Sequence, residues 1–464
     1  MADIGDWAGL PSVLIVEVYT YLSQEDRLAA SAACRRWRAC LFHPSLWSGF
    51  SLELNCFERP RTNFLANRCG RFVEEAVVKF NSRSITEVRE CLRILRILSE
   101  NKNLKRFSLQ PSSCHIEWPD NEFYIIDSYL DCIEKLIHTA RHLHHFSLGC
   151  VEQLQVHTPS LLPLLAQRHA STLHTLHLVS VKEDSQNYGI VDLSPADLTP
   201  FRRLHTLSLD YDYLNADVLL SMTEPDCTCL KKLLVHIHGV EPDHPHIDNA
   251  TWRQVRRMCP ELEVSLTLLH SYEGVGVLTS ILQPSMPLVS FRQYFCSRVS
   301  VAAICFLGSQ LSEVLRELEI VEGMPGGNPL YYDTSSPEDP FVMLAWRCSE
   351  LHTLRLIGLE LSASDIIAIS RLRGPRLRQL DVALSCLTHS IHEAEESMWV
   401  VPLCVMAGKT REFCQQVSES LGREWWPLSD RELPSAILDD RADAEKAYMG
   451  TLLTDQNPRL STKH

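Results

Sequence analysis

The chain of 464 residues has no apolar run approaching the roughly 18–20 residues that cross a bilayer, so no membrane-spanning helix is expected. Its first residues, Met1-Ala2-Asp3-Ile4-Gly5-Asp6-Trp7, lack a basic leading stretch and a long apolar segment, and no secretory signal is expected there. None of its 17 cysteines stands in a C-x-x-C pair. Scattered thiols in a chain this long indicate a reduced protein of the cytoplasm and/or nucleus, not a disulfide framework. Positive charge is in short supply, with 44 Lys and Arg against 58 Asp and Glu, a net −14. That balance argues against nucleic acid as a partner.

Catalytic signatures are equally scarce. Neither G-x-x-x-x-G-K-[ST] nor G-x-S-x-G occurs. His392-Glu393 opens like H-E-x-x-H, but position 396 is Glu. Gly274-x-Gly276 lacks the third glycine, because Thr279 stands there. His236 and His238 share one strand face, with His244 and His246 nearby. Beyond Cys227 and Cys229 they have no second ligand pair at metal-site spacing. The sequence therefore predicts no catalytic residues, no cofactor and no metal. Asn249-Ala250-Thr251 is read as a chance sequon.

What is present is ordinary for a folded soluble protein: 45% hydrophobic and 22% charged residues. Charge is unevenly placed. Residues 27–110 hold 16 basic and 7 acidic side chains, whereas residues 111–464 carry a balance of −18. An acidic C-terminal body favours basic partners through electrostatic steering.

Residues 10–47 read as three short helices. Pro11 suits a first helical turn, and Leu14, Ile15, Val18 and Leu22 then recur as one apolar stripe. Ser23 and Asp26 resemble a capping box opening a second helix through Leu28, Ala32, Ala33, Trp37 and Leu41, and His43-Pro44 interrupts it before Leu46-Trp47. Residues 51–102 read as a helical connector, with Val88, Leu92, Leu95, Ile97 and Leu98 on its apolar face.

A repeat follows. Leu104-x-x-Phe107-x-Leu109 recurs at Leu143, Leu173, Leu204, Leu230, Leu315, Leu351 and Leu377, with degenerate copies near Leu262 and Leu288. The steps run from 26 to 39 residues, the signature of irregular leucine-rich repeats. Each unit supplies a strand whose leucines point inward, and no single unit can bury its apolar face alone. The polar residues between the leucines are expected on the concave face. They include His177, Ser208, Lys232, Glu317, Glu319, Arg355 and Asp381. Residues 322–340, with Gly326, Gly327, Pro329, Pro337 and Pro340, read as a loop. After about residue 388 the repeat stops, and the remainder is expected to cap the last unit.

The run Leu10-Pro11, Leu14-Ile15, Val18, Tyr21-Leu22, Asp26-Arg27-Leu28, Cys34-Arg35-Arg36-Trp37, Pro44, Leu46-Trp47 resembles an F-box. Val13 departs from it, standing where the family often has an acidic residue. The resemblance implies that Leu10, Pro11, Ile15, Val18, Leu22 and Leu28 face a Skp-family adaptor, while Cys34, Trp37 and Trp47 hold the helices together. Arg61-x-x-Phe64-Leu65, Cys69-Gly70-x-Phe72-Val73 and Asp339-Pro340-x-Val342-x-Leu344-Ala345-Trp346 are similar to segments of the F-box only protein 33 family.

The expected architecture is α/β, in four parts. A three-helix F-box occupies 6–50, the connector 51–102, a leucine-rich-repeat solenoid 103–388 and a helical C-terminal cap 389–464. The strands form a parallel sheet on the concave face, with helices outside. The implied role is a non-catalytic substrate receptor of a Skp–cullin–F-box (SCF-type) ubiquitin ligase, reaching a cullin–RING core through the adaptor and binding a protein substrate, for which the acidic C-terminal body favours a basic one. The alternative is a repeat scaffold acting outside a ligase.

Overall fold

A computed structural model describes residues 7–47, 49–55, 59–119, 122–184, 188, 193–223, 230–240, 244–324, 327–332, 338–393, 397–439 and 441–457. Cys227, Cys229, Gly326 and Pro337 lie outside the described residues. The chain divides into two compact units, one of residues 1–112, 116–148 and 163–173, the other of residues 113–115, 149–162 and 174–464.

The first unit opens with helices α1 (Ser12–Thr20), α2 (Gln24–Ser31) and α3 (Arg35–Leu41), then a short 3-10 turn at Pro44–Leu46. The single helix expected through Leu28 and Leu41 is thus two. The backbone of Cys34 is extended (φ −156°, ψ 169°), and a residue in that conformation cannot continue a helix. Ser23 caps α2 as the sequence suggests: its Oγ accepts from the Asp26 N–H at 3.1 Å and donates to the Asp26 carboxylate at 2.7 Å.

Residues 51–102 are not a helical connector. They hold strand β1 (Gly49–Glu53), helix α4 (Arg59–Cys69), strand β2 (Glu75–Phe80) and helix α5 (Ile85–Leu98). β1 pairs with β2, β2 with β3 (Arg106–Pro111) and β3 with β4 (His145–Ser147), all parallel and in register. Along β2, Ala76, Val78 and Phe80 are buried and alternate with half-buried residues, the period-2 pattern of a repeat strand. The repeat therefore begins before residue 103. Its early copies, Trp47-x-x-Phe50-x-Leu52 and Val73-x-x-Ala76-x-Val78, keep the spacing but replace the leucines.

The second unit continues the same construction. Strands β5 (Thr175–His177), β6 (Thr206–Asp210), β7 (Lys232–Ile237), β8 (Glu263–Leu269), β9 (Leu288–Tyr294), β10 (Glu317–Val321) and β11 (Thr353–Ile357) pair successively and in parallel. β12 (Leu361–Ser362) belongs to a small side sheet with β14 (Leu387–Glu393) and β15 (Ser397–Pro402), while β13 (Gln379–Val382) closes the main ladder on β11. Gly274-x-Gly276 sits inside the helix Tyr272–Ile281, not in a phosphate-binding turn.

The C-terminal segment does more than cap the last repeat. The helix Ala407–Leu421 lies beside the helix Ala363–Arg373, where Arg371 reaches Gln416 at 3.0 Å. The Trp425 indole N–H donates to the Leu380 carbonyl at 2.8 Å. From Leu433 onward the chain turns back as a strap. Ile437, Tyr448, Met449 and Leu452 pack against Leu269, Tyr294, Val321 and Ile357, which are the final residues of β8 to β11. Cys114, Cys150, Val179 and Val181 join the same buried cluster. Parallel strands in register bring their ends to one edge, and apolar residues in that edge row need cover. The strap supplies it.

Candidate interaction surfaces

The N-terminal module is built around two residues of α1 one turn apart. Ile15 and Tyr19 are fully buried, because positions i and i+4 share a helix face. Tyr19 meets Trp37 edge to face at 5.5 Å, and its hydroxyl donates to the Trp37 carbonyl at 2.9 Å. Arg27 ties the helices to the turn, donating to the carbonyls of Tyr19 and Leu46 at 2.8 Å each. Trp47 is 1% exposed and donates its indole N–H to the Leu41 carbonyl. Trp37 and Cys34 are only half-buried. Trp47→Ala should therefore cost about 3–5 kcal/mol, the usual range for emptying a buried indole site. A melting transition of the module within a degree of wild type would place Trp47 outside the core.

This packing corrects one expected adaptor contact. Ile15 belongs to the module's own interior and is not available to a partner. Pro11 is exposed, and Leu10, Val18, Leu22 and Leu28 are half-buried. Val13, Leu14 and Tyr21, with exposures of 78%, 49% and 81%, are the large apolar side chains most open to solvent on α1 and its C-cap. Three exposed apolar side chains thus stand within nine residues of each other in sequence.

The concave face differs from its sequence-based reading in two ways. First, the motif frames do not all share one register. Leu234 pairs with Ser265 and Ser265 with Ser290, and between Val264 and Ser265 the ladder on β9 is irregular. Ser290 then pairs with Glu317, not Glu319. Consequently Asp210, His236, Thr267, Arg292, Glu319, Arg355 and Asp381 line up as one row.

Second, several residues expected to be open are not. His177 and Ser208 are buried and bonded to each other, His177 Nδ1 to Ser208 Oγ at 2.8 Å. Glu319 is also buried, whereas Lys232, Glu317, Arg355 and Asp381 are half-buried. The acidic residues meant to attract a basic substrate already have arginine partners. Arg292 lies 3.1 Å from Glu317, 3.8 Å from Glu319 and in contact with Asp455 of the strap. Arg355 lies 3.8 Å from Glu319 and 3.7 Å from Asp381. Two guanidiniums among Glu317, Glu319, Asp381 and Asp455 offset half of that acidic charge.

The strap is held by polar contacts as well. The Glu445 carboxylate accepts from the Cys114 backbone N–H at 3.1 Å and from the Cys114 thiol at 2.7 Å. Tyr448 Oη lies 3.0 Å from His270 Nε2. Burial pushes the Cys114 and Cys150 thiols well up and their thiolates are disfavoured, so neither is poised as a nucleophile.

One buried cluster resembles a metal centre. Donor atoms of Asp210, His236 and His238 lie within 4.8 Å of one another, and all three residues are buried. The charge a cation would bring is already present, however. The Lys182 ammonium sits 3.3 Å from the Asp210 carboxylate, with both side chains at most 1% exposed. Asp210 also accepts from the Ser180 N–H at 2.9 Å and hydroxyl at 2.6 Å. His236 Nδ1 and His238 Nε2 each lie 3.1 Å from the Ser180 carbonyl, the distance of an N–H donor to that oxygen. With one ammonium, one carboxylate and two neutral imidazoles, the cluster is electrically closed. His244 and His246 lie apart from it against Tyr211, whose hydroxyl is 2.8 Å from His246 Nδ1.

A three-helix module followed by parallel strand–helix repeats is the plan of an F-box protein with a leucine-rich-repeat body, and residues 7–53 match the F-box-like family model. Over most of its length the chain is similar to F-box only protein 33. It is 28% identical to that protein of Homo sapiens, covering 95% of this chain and 87% of the relative. The Mus musculus counterpart is 29% identical over 95% and 86% of the two chains. F-box/LRR-repeat protein 21 of Mus musculus is 24% identical over 91% and 89%.

Proposed function

We propose that this protein is the substrate-recognition subunit of an SCF-type ubiquitin ligase, docking a Skp-family adaptor through the N-terminal module and holding a protein substrate on its repeat body. The observation that carries the reading is the F-box-like match at residues 7–53 together with the exposed apolar side chains of α1 beside the module's buried Ile15 and Tyr19. In this reading the chain performs no chemical step. It raises the effective concentration of a substrate lysine beside a conjugating enzyme supplied by the cullin–RING core, a rate effect of proximity alone. No disulfide joins the cysteines of the described residues, which suits a reducing compartment, the cytoplasm or the nucleus.

Capture of a purified Skp-family adaptor by the full chain tests the reading. Pro11→Ala combined with Leu14→Asp should weaken capture at least about 30-fold, because truncating a central anchor usually costs 2 kcal/mol or more. Neither residue is in the core, so the melting transition should stay. No capture by wild type, or undiminished capture by the variant, would remove the adaptor from the account.

A further inference from the structure

We infer that the corner where the loop Arg373–Arg378 meets the end of the helix Ala407–Leu421 is a docking site for an acidic, extended segment of a partner protein. Such a site would bind whether or not the chain serves a ligase.

The run Arg371-Leu372-Arg373-Gly374-Pro375-Arg376-Leu377-Arg378 sets four arginines close together with no acid among them, in a chain of net charge −14. The helix Ala363–Arg373 ends on Gly374, whose φ of 54° turns the chain out into a 3-10 turn at Gly374–Arg376 ahead of β13. Backbone contacts fix the corner. Arg373 Nη1 donates to the Cys348 carbonyl at 2.7 Å, which ties the loop to the end of the helix Pro340–Arg347. Arg423, just past the helix Ala407–Leu421, donates through Nη2 to the Leu377 and Arg378 carbonyls at 2.8 and 2.9 Å. The Trp425 indole and the Leu428 N–H take the carbonyls of Leu380 and Val382 at 2.8 Å each. The carbonyls that a further strand would use at this edge of β13 are therefore taken, and what the corner presents is charge.

That charge is not balanced. Arg347, Arg376 and Arg378 are exposed, and among the described residues none of Arg347, Arg373, Arg376, Arg378 and Arg423 has an ion pair. Elsewhere on the same ladder Arg292 faces Glu317, Glu319 and Asp455, and Arg355 faces Glu319 and Asp381. Glu419 and Glu424, the acids beside Arg423, accept instead from Gln415 at 2.8 Å and from the Trp426 indole at 3.2 Å. Burial, with Arg376 beside it, lowers the Arg373 guanidinium from its ordinary value, against the opposing pull of Cys348 and Glu350. Helix C-termini favour cations, which accounts for Arg347 and Arg373 in last turns. Arg376 and Arg378 stand past that helix end and gain nothing comparable.

Guanidiniums held together by the fold repel one another until an anion arrives. Each pairs with a carboxylate through a planar, bidentate fork. The five come from three segments and exceed what a single phosphate or terminal carboxylate can pair, so a segment with several carboxylates matches them. Trp426, 57% exposed, follows on the same stretch as Arg423 and offers an apolar neighbour. Nucleic acid is the less suitable occupant, because a net charge of −14 repels a long polyanion.

The test is fluorescence anisotropy of the full chain with a labelled peptide alternating glutamate and alanine. At low salt this peptide should bind and its glutamine counterpart should not, and added salt should weaken the binding. Arg376→Glu/Arg378→Glu should weaken it about tenfold with an unchanged melting transition, both side chains being exposed. Lysine at the two positions keeps the charge and loses the fork, so that variant should fall between. Arg253→Glu/Arg256→Glu, on the exposed face of the helix Asn249–Met258, makes the same change in net charge and should leave binding as it is. Equal binding of the two peptides, or undiminished binding by the Arg376→Glu/Arg378→Glu variant, would overturn the inference. Equal losses in the two glutamate pairs would reduce the effect to net charge and overturn it as well. If a peptide with one phosphoserine, or an oligothymidylate, binds more tightly than the glutamate peptide and is lost in the Arg376→Glu/Arg378→Glu variant, the corner belongs to that ligand and the acidic segment is rejected.

Discussion

Removal of residues 433–457 should abolish the cooperative unfolding transition of the second unit and leave an aggregating chain. The strap buries Ile437, Tyr448, Met449 and Leu452 almost completely. Full burial of one such side chain is worth about 1.5–3 kcal/mol, so these four represent about 6–12 kcal/mol. Whole domains are stable by only about 5–15 kcal/mol. Deletion also exposes the final residues of β8 to β11 and the apolar side chains of Cys114, Cys150, Val179 and Val181. It strips Arg292 of one carboxylate partner and Cys114 of its acceptor. Tyr448→Ala, a milder lesion, should cost about 3–5 kcal/mol. Thermal denaturation and amide exchange of the β8–β11 strands provide the readout. A truncated chain that melts within a few degrees of wild type, with those strands still protected, would show that the strap is an accessory. A partner that binds the concave face therefore meets the strap as part of that face.

The sequence reveals most of this architecture where leucine carries the pattern, and loses it where other residues do. The strands from residue 104 onward stand out because Leu, Phe and Val recur at L-x-x-L-x-L spacing. β2 hides behind Val73, Ala76 and Val78, apolar but without leucine. Its neighbours Arg71, Glu74, Glu75 and Lys79 give the segment a polar, helix-like look. Register is less legible still. One irregular pairing at Val264 and Ser265 moves Glu317 into the row that motif counting gives to Glu319. Charge on the concave face fails for a related reason. Motif spacing puts Glu317, Glu319, Asp381 and Arg355 on this face, but only the ladder places Arg292 among them and shows both arginines paired with the acids. In the N-terminal module, apolar spacing finds Ile15 but not which side of the stripe it takes. Tyr19, one turn on, is the residue that turns that face inward. Arg27 is legible only as a charge, since a half-buried arginine bonded to two carbonyls has no local signature. The strap left no periodic trace, because its cover comes from short helices joined by turns.

Asp210→Ala should be among the most destabilising single substitutions in the second unit. It would leave the Lys182 ammonium buried against Tyr188 and Tyr213, whose ring centroids are 4.9 and 5.9 Å away, without its carboxylate. Orphaning one member of a buried ion pair typically costs about 3–5 kcal/mol. Lys182→Met should cost less than Asp210→Ala, since Asp210 keeps the two Ser180 donors. The double substitution Asp210→Leu/Lys182→Met should recover much of the loss, because an apolar pair of similar volume removes the desolvation penalty of both charges. Additive losses in that cycle would mean the two charges do not act as a pair. The same cluster fixes a pH dependence. Burial holds His236 below the ordinary imidazole range, and burial together with the Lys182 charge brings His238 down to about 3, while Asp210 opposes both shifts. A folded-state value below the unfolded 6.5 means that the unfolded chain takes up the proton first. The stability from neutral, buried imidazoles is thus fully present above about pH 6.5 and is lost progressively as the pH falls towards 3. Wild type should show a falling melting temperature over that interval. His238→Phe, which removes the titrating group but keeps a ring in the cavity, should show a shallower decline there, whatever its stability at neutral pH. Equal slopes for the two proteins between pH 6.5 and 4 would detach this cluster from the acid response.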